Sequence, residues 1–141
     1  MNTEIKRAEK IVTKEEFITF IENECHGILF GSRALGVETS ISDYDYLVLI
    51  DDYKRTVIFC KENNIRMTDS LYYLQSYYVS LPPVNDFGML NTINIVTCRG
   101  EDIDAWKTTI AMMKQAPKEK IKDAKNRKLL FECLLSILKQ F

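Results

Sequence analysis

The 141-residue chain has one histidine, three prolines, five glycines and one tryptophan. Each scarcity closes off a class of protein. With His26 the sole imidazole and Cys25, Cys60, Cys98 and Cys133 separated by more than thirty residues each, no ligand spacing for zinc is present. The cysteines therefore read as small buried thiols in a reducing compartment, and His26 as a helix-to-strand junction residue. The few Gly and Pro exclude collagen-like repeats and flexible linkers, while a hydrophobic share of 46% suffices to offset the entropy of folding. The longest unbroken apolar run, Tyr46–Ile50, falls far short of the ~20 residues a membrane-spanning helix needs. No basic-then-apolar leader opens the chain. A soluble, cytoplasmic protein without membrane contact is expected, as one domain over 1–141 with residues 1–12 frayed.

Charge of one sign is missing too: 19 basic residues stand against 20 acidic ones, which argues against general DNA binding. The distribution is uneven. Residues 107–128 carry eight Lys or Arg against only Glu119 and Asp123. This stretch reads either as the solvated face of two helices or as a surface for the phosphates of a nucleotide or an RNA.

Thr13-Lys14-Glu15-Glu16 matches a capping box, with Phe17, Ile18, Ile21 and Cys25 at helical spacing, so a helix is expected near 13–25. Gly27–Phe30 and Asp45–Ile50 read as buried strands, and Asp51-Asp52 as the cap of a helix near 53–62, centred on Val57, Ile58 and Lys61 and stopped by Asn63-Asn64. Leu71–Leu81 reads as extended structure broken by Pro82-Pro83, and Thr92–Thr97 as a strand. Arg99-Gly100 turns into a helix carrying Ile103, Trp106, Ile110 and Met113, ended or interrupted by Pro117. Residues 118–141 read as one amphipathic helix with Ile121, Ala124, Leu130, Phe131, Leu134, Leu135 and Leu138 on its apolar face. The expected class is α/β (α+β): a mixed sheet flanked by helices, with C-terminal helices over 101–141.

The segment that carries chemistry is Leu29–Gly36 followed by Ser42–Val48. Gly31 permits close backbone approach to a ligand, and Ser32 at a helix start offers a hydroxyl and N–H groups to a phosphate. Asp43 and Asp45, two apart on a strand, project from one face with Cα atoms about 6.6 Å apart. Carboxylates so placed can share divalent cations that activate an attacking oxygen and steady a leaving pyrophosphate. Each feature also has a plain reading, the acids as turn and strand-edge residues and Gly31-Ser32 as an ordinary helix start. Their joint occurrence favours the chemical one. Arg33 either pairs with the acids to close the loop or reaches a phosphate. Trp106 reads as core, and Tyr72, Tyr73, Tyr77 and Tyr78 as packing with some rings exposed for stacking on a base.

Gly31-Ser32 and Asp43-x-Asp45, a Gly-Ser helix start followed by two acids on the next strand, resemble the DNA polymerase beta-like nucleotidyltransferase superfamily. The wording GSRALG and SDYDYLV is similar to small nucleotidyltransferase-like proteins of bacteriophages and to the minimal nucleotidyltransferases of toxin–antitoxin pairs. The resemblance implies a nucleoside triphosphate as donor, Mg²⁺ or Mn²⁺ held by Asp43 and Asp45, and phosphates held by Gly31, Ser32 and Arg33. It further implies a protein, RNA or small-molecule hydroxyl as acceptor, and host cytoplasm if the chain is phage-encoded. A homo-oligomer or partner that helps select the acceptor fits it as well.

One departure stands out. Where active members carry a third carboxylate on a later strand, the aligned residue here is Asn94, and an amide cannot act as a general base near neutral pH. Asp69, Asp86, Asp102 and Asp104 are candidate substitutes. The alternative function is therefore a nucleotidyltransferase fold that has lost catalysis and binds a nucleotide or a protein, such as a phage factor against host defence. An antitoxin that modifies its toxin would share the chemistry of the first reading.

Overall fold

The structure, a computed structural model, describes residues 12–65, 68–72, 76–80 and 93–141. Helix α1 (Lys14–Glu24) starts as the sequence predicts. Thr13 Oγ1 accepts from the Glu16 amide at 3.1 Å, and Glu16 Oε1 accepts from the Thr13 amide at 2.9 Å. Both arms satisfy amides that an uncapped helix leaves open. His26, at φ 56°, turns the chain into β1 (Ile28–Phe30). After the single-turn α2 (Ser32–Leu35) come β2 (Tyr44–Leu49) and α3 (Ile50–Glu62).

Three expectations need correction in and after α3. Asp51 and Asp52 lie inside its first turn and do not cap it, because the helix begins directly off the strand at Ile50. Acids there still favour the positive end of the helix. The inward residues of α3 are Thr56 and Cys60, while Ile58 is 55% exposed. Residues 118–141 form two helices, α5 (Lys118–Ile121) and α6 (Ala124–Leu138), preceded by α4 (Ile103–Gln115). Asp123 breaks the run with extended backbone at φ −75°, ψ 124°, and the Arg127 guanidinium donates to the Ile121 and Lys122 carbonyls at 2.9 and 3.3 Å. Those bonds satisfy acceptors that the break leaves open.

Strands β3 (Thr68–Tyr72), β4 (Ser76–Ser80) and β5 (Ile93–Cys98) complete a five-stranded sheet of order β1-β2-β5-β4-β3. Among the described strands β2 and β5 pair in parallel and the other neighbours pair antiparallel. Residues 1–11, Thr92, Tyr73, Leu81, Pro82-Pro83 and Asp86 lie outside the described residues, as do the side chains of the tyrosine cluster.

The chain is an α/β fold with helices on both faces of this mixed sheet. On one face Phe17, Ile21, Cys25 and Cys60 pack on Tyr46, Val48, Ile93 and Ile95. On the other, Leu35, Trp106, Met113, Ile121, Phe131 and Leu135 pack on Phe30, Leu47, Val96 and Cys98. The alternation Tyr46/Leu47/Val48 feeds both cores, which is why β2 reads as an unbroken apolar run. Phe30, Trp106 and Phe131 form a triangle with centroids 5.5–5.7 Å apart, seating α4 and α6 against β1.

The C-terminal end of α6 is held separately, since Asp102 meets Arg99 at 3.3 Å and Lys139 at 3.7 Å. Burial pushes the Cys60 thiol up to about 12 and Cys98 up to about 11, as expected of inert core cysteines. Cys133 departs from expectation and is exposed on α6. No helix among the described residues is long and apolar enough to cross a membrane.

Candidate active site

Parallel pairing of β2 with β5 sets Asp45 directly opposite Asn94, and antiparallel pairing with β1 sets Phe30 on its other side. Asp43 precedes β2 by one residue. The Asn94 Nδ2 donates to Asp43 Oδ2 at 3.0 Å and to Asp45 Oδ1 at 3.1 Å. The three residues singled out from sequence are thus one hydrogen-bonded cluster. Carboxylates only accept, so the amide must present its NH₂ to them, and a cation between the acids requires it to turn and offer its oxygen.

Asp45 is half-buried by exposure, yet it sits deep enough that desolvation pushes its carboxyl above the usual carboxylate range. The Asn94 hydrogen bond opposes that shift, the charge of Asp43 reinforces it, and Arg127 and Lys128 oppose it. An acid raised in the folded state binds more protons there than in the unfolded chain. Its contribution to stability is present at low pH and is lost as pH rises through the raised value. Asp45→Asn is accordingly expected to raise the urea midpoint at pH 7 in EDTA and to flatten this loss in a pH series. An unchanged midpoint would mean that the ionised acid carries no strain.

Gly31 stands against Asp45 in a conformation, φ 79° and ψ −160°, that is essentially open to glycine alone. A Cβ built there runs into Asp45 Oδ2. Ser32 is buried at the start of α2, and Gly36, at φ 73°, ends that turn. Arg33 is engaged with backbone and an aromatic ring in place of the acids. Its Nε and Nη2 donate to the Ser42 carbonyl at 3.1 and 3.0 Å, and the guanidinium lies 4.0 Å from the Tyr44 ring centroid. Lys14 Nζ lies 5.0 Å from the same ring. Arg33 therefore holds the loop that delivers Asp43, closing it through backbone carbonyls where an ion pair with the acids was one expectation.

A cleft of about 210 Å³ opens beside Asp45. Gly31, Ser32 and Leu35 line it together with Arg127 and Lys128 of α6. Sequence reasoning named these two only as members of a basic stretch. A sharper signal was present: Arg127 lies four residues before Phe131 and eight before Leu135, which places a cation on the apolar stripe of α6.

Neither described substitute for the third carboxylate reaches the cluster by its placement. Asp102 is ion-paired beyond the opposite end of β5, whose last residue, Cys98, lies roughly 13 Å from Asn94 along the strand, and Asp104 is exposed in the first turn of α4. The backbone of Asp69 lies two strands away from β5. Among the described residues no group of three or more His, Cys, Asp or Glu side chains could hold a metal ion. Two carboxylates beside a phosphate-sized cleft nevertheless suit one Mg²⁺, which takes oxygen ligands from one or two carboxylates and completes its shell with substrate phosphates and water.

No protein-family model and no curated protein matches the chain. Among solved structures the chain is similar to the Cid1 poly(U) polymerase, with a TM-score of 0.47, 13% identity, and 84% of this chain and 41% of that one covered. It is also similar to a cytoplasmic RNA terminal U-transferase, with a TM-score of 0.46, 17% identity and the same coverage. A MgGTP-bound structure of Cid1 gives 0.43 and 12% over 84% of this chain and 43% of that one. The chain thus spans about two fifths of the length of the solved structures it resembles.

Proposed function

We propose that this chain is a small nucleotidyltransferase. It would take a nucleoside triphosphate with Mg²⁺ or Mn²⁺ and move the nucleoside monophosphate to a hydroxyl on a protein, an RNA or a small molecule. The observation that supports this reading most is the cluster of Asp43, Asp45 and Asn94 at the rim of a cleft lined by Gly31, Ser32, Arg127 and Lys128. The acceptor hydroxyl oxygen bonds to the α-phosphorus as the bond to the bridging oxygen breaks; pyrophosphate leaves and the hydroxyl proton passes to water.

A cation held by Asp43 and Asp45 would polarise the transferring phosphate and offset its charge. Every other role belongs to the chain. Gly31 keeps the cleft wall free of a side chain where the backbone passes Asp45, and Ser32 offers a hydroxyl. Arg33 fixes the loop bearing Asp43. Asn94 aligns the two acids but takes no proton from the acceptor, so transfer proceeds without a general base at that position and is slow.

The Asn94 bridge also favours a second reading, in which catalysis is lost and the fold holds a nucleotide or a protein partner, as a phage-encoded factor in host cytoplasm would. Incubation with α-labelled ATP, GTP, CTP and UTP and Mg²⁺ separates the two. The first reading expects label on an acceptor, removed by Asp43→Ala. Nucleotide-dependent thermal stabilisation without any transfer would establish the second in its place, since a ligand at ~100 times its dissociation constant adds about 2.7 kcal/mol.

A further inference from the structure

We infer that Tyr44 is a positioning residue whose ring holds Arg33 off Asp43 and so keeps that carboxylate open to a cation. The inference rests on the reading above in which Asp43 and Asp45 hold a divalent cation, and it names what stops the chain from closing that site itself. Competition is the first argument. A guanidinium that meets a carboxylate forms charge-assisted, often paired hydrogen bonds, stronger than bonds to neutral carbonyls. Arg33 takes the weaker kind. Its Nε and Nη2 donate to the Ser42 carbonyl at 3.1 and 3.0 Å, and among the described residues no carboxylate lies within ion-pair distance of it. The carbonyl it holds belongs to the peptide that enters Asp43, whose own side chain is exposed. A stronger partner therefore stands next along the chain and is left untaken.

Placement is the second argument. Tyr44 stands between the two acids in sequence, yet its ring packs with the core on the α1 side of the sheet, whereas Asp45 borders the cleft on the other side. The Arg33 guanidinium lies 4.0 Å from the ring centroid, well inside the ~6 Å over which a cation is drawn to a π face. The ring thus pulls the guanidinium toward the face away from the cluster. Lys14, at the start of α1, lies 5.0 Å over the same ring and links it to that helix. The third argument is the state of Asp43. Asn94 already donates to its Oδ2, so an arginine would compete with a cation for the oxygen that remains.

Titration of the full chain with Mn²⁺, followed by the paramagnetic resonance signal of the free ion, reads the site without any turnover. Wild type should bind, and Tyr44→Phe, which keeps the ring face, should match it. Tyr44→Leu should bind about tenfold more weakly, as Arg33 moves onto Asp43. Adding Arg33→Met to Tyr44→Leu should restore most of that loss, because the competitor is gone. Adding Arg55→Met instead, an arginine on α3 tied to the Glu24 carbonyl, should restore nothing. A ring that served only packing would leave the Tyr44→Leu/Arg33→Met chain no tighter than Tyr44→Leu alone. Tyr44→Met, a longer apolar side chain without a ring, takes the place of Tyr44→Leu if the leucine chain does not fold.

If Tyr44→Leu binds Mn²⁺ as wild type does, or if removing Arg33 restores nothing, the ring does not guard Asp43 and the inference falls, while wild-type Mn²⁺ binding leaves the cation reading in place. Failure of wild type to bind Mn²⁺ overturns both.

Discussion

Asn94→Asp should produce a chain that is less stable than wild type without divalent cations and faster in transfer with them. The amide now donates to two carboxylates, at 3.0 and 3.1 Å. Replacing it with a third acid removes both bonds and adds a like charge at the same point. Hydrogen bonds to charged partners contribute about 1.5–3 kcal/mol each, so a loss near 3 kcal/mol in EDTA is a conservative expectation. Millimolar Mg²⁺ should return most of it, because the cation replaces the amide as the bridge between the acids.

The same substitution supplies the missing base, and a positioned base contributes about 10²–10⁴ in rate. The two measurements are a urea midpoint in EDTA and in Mg²⁺, and the initial rate of label transfer. A variant as stable as wild type in EDTA would show that the bridge carries no weight. A rate rising from a measurable wild-type level fits a slow enzyme, whereas activity that starts from nothing fits the binding module.

Gly31→Ala is the second substitution with a large expected cost. The backbone there, at φ 79° and ψ −160°, lies in a region that costs an L residue about 1–3 kcal/mol. The new methyl also meets the Asp45 carboxylate, which is tied to Asn94 and cannot withdraw freely. A destabilisation of about 3 kcal/mol or more should appear as a lower urea midpoint at unchanged slope, accompanied by loss of Mg²⁺-dependent nucleotide binding. Gly100→Ala is the matched control, since a Cβ there meets no atom within 4 Å. Equal effects at the two glycines would refute the close-approach account.

Much of this fold was legible in local chemistry. The capping box at Thr13 and Glu16, the apolar runs of β1 and β2, the β-branched run of β5 and the Trp106 face of α4 each declare themselves within a few residues, because propensity, periodicity and capping act over that range. Boundaries slipped where a local signal had two uses. Asp51-Asp52 suits an N-cap or a first turn equally well, and only the strand ending at Leu49 decides between them. The break at Asp123 carries no Gly or Pro. It is held by Arg127 reaching back to the Ile121 and Lys122 carbonyls, a contact that apolar periodicity does not register.

The sequence by itself determined that an α/β sheet would form, that Gly31 and Ser32 would follow one strand, and that Asp45 would lie on the next; Asp43, expected on that strand too, stands one residue before it. Those are properties of alternation and of turn chemistry. Tertiary structure alone decided that Asn94, 49 residues beyond Asp45, bridges both acids. It also decided that Arg33 is engaged with the loop and that, of eight cations in the basic stretch, Arg127 and Lys128 face the cleft. Those outcomes depend on the parallel register of β2 with β5 and on Phe131 docking against Phe30 and Trp106. Pairings between residues far apart in the chain are set by how two cores pack on one sheet, and no local pattern encodes them.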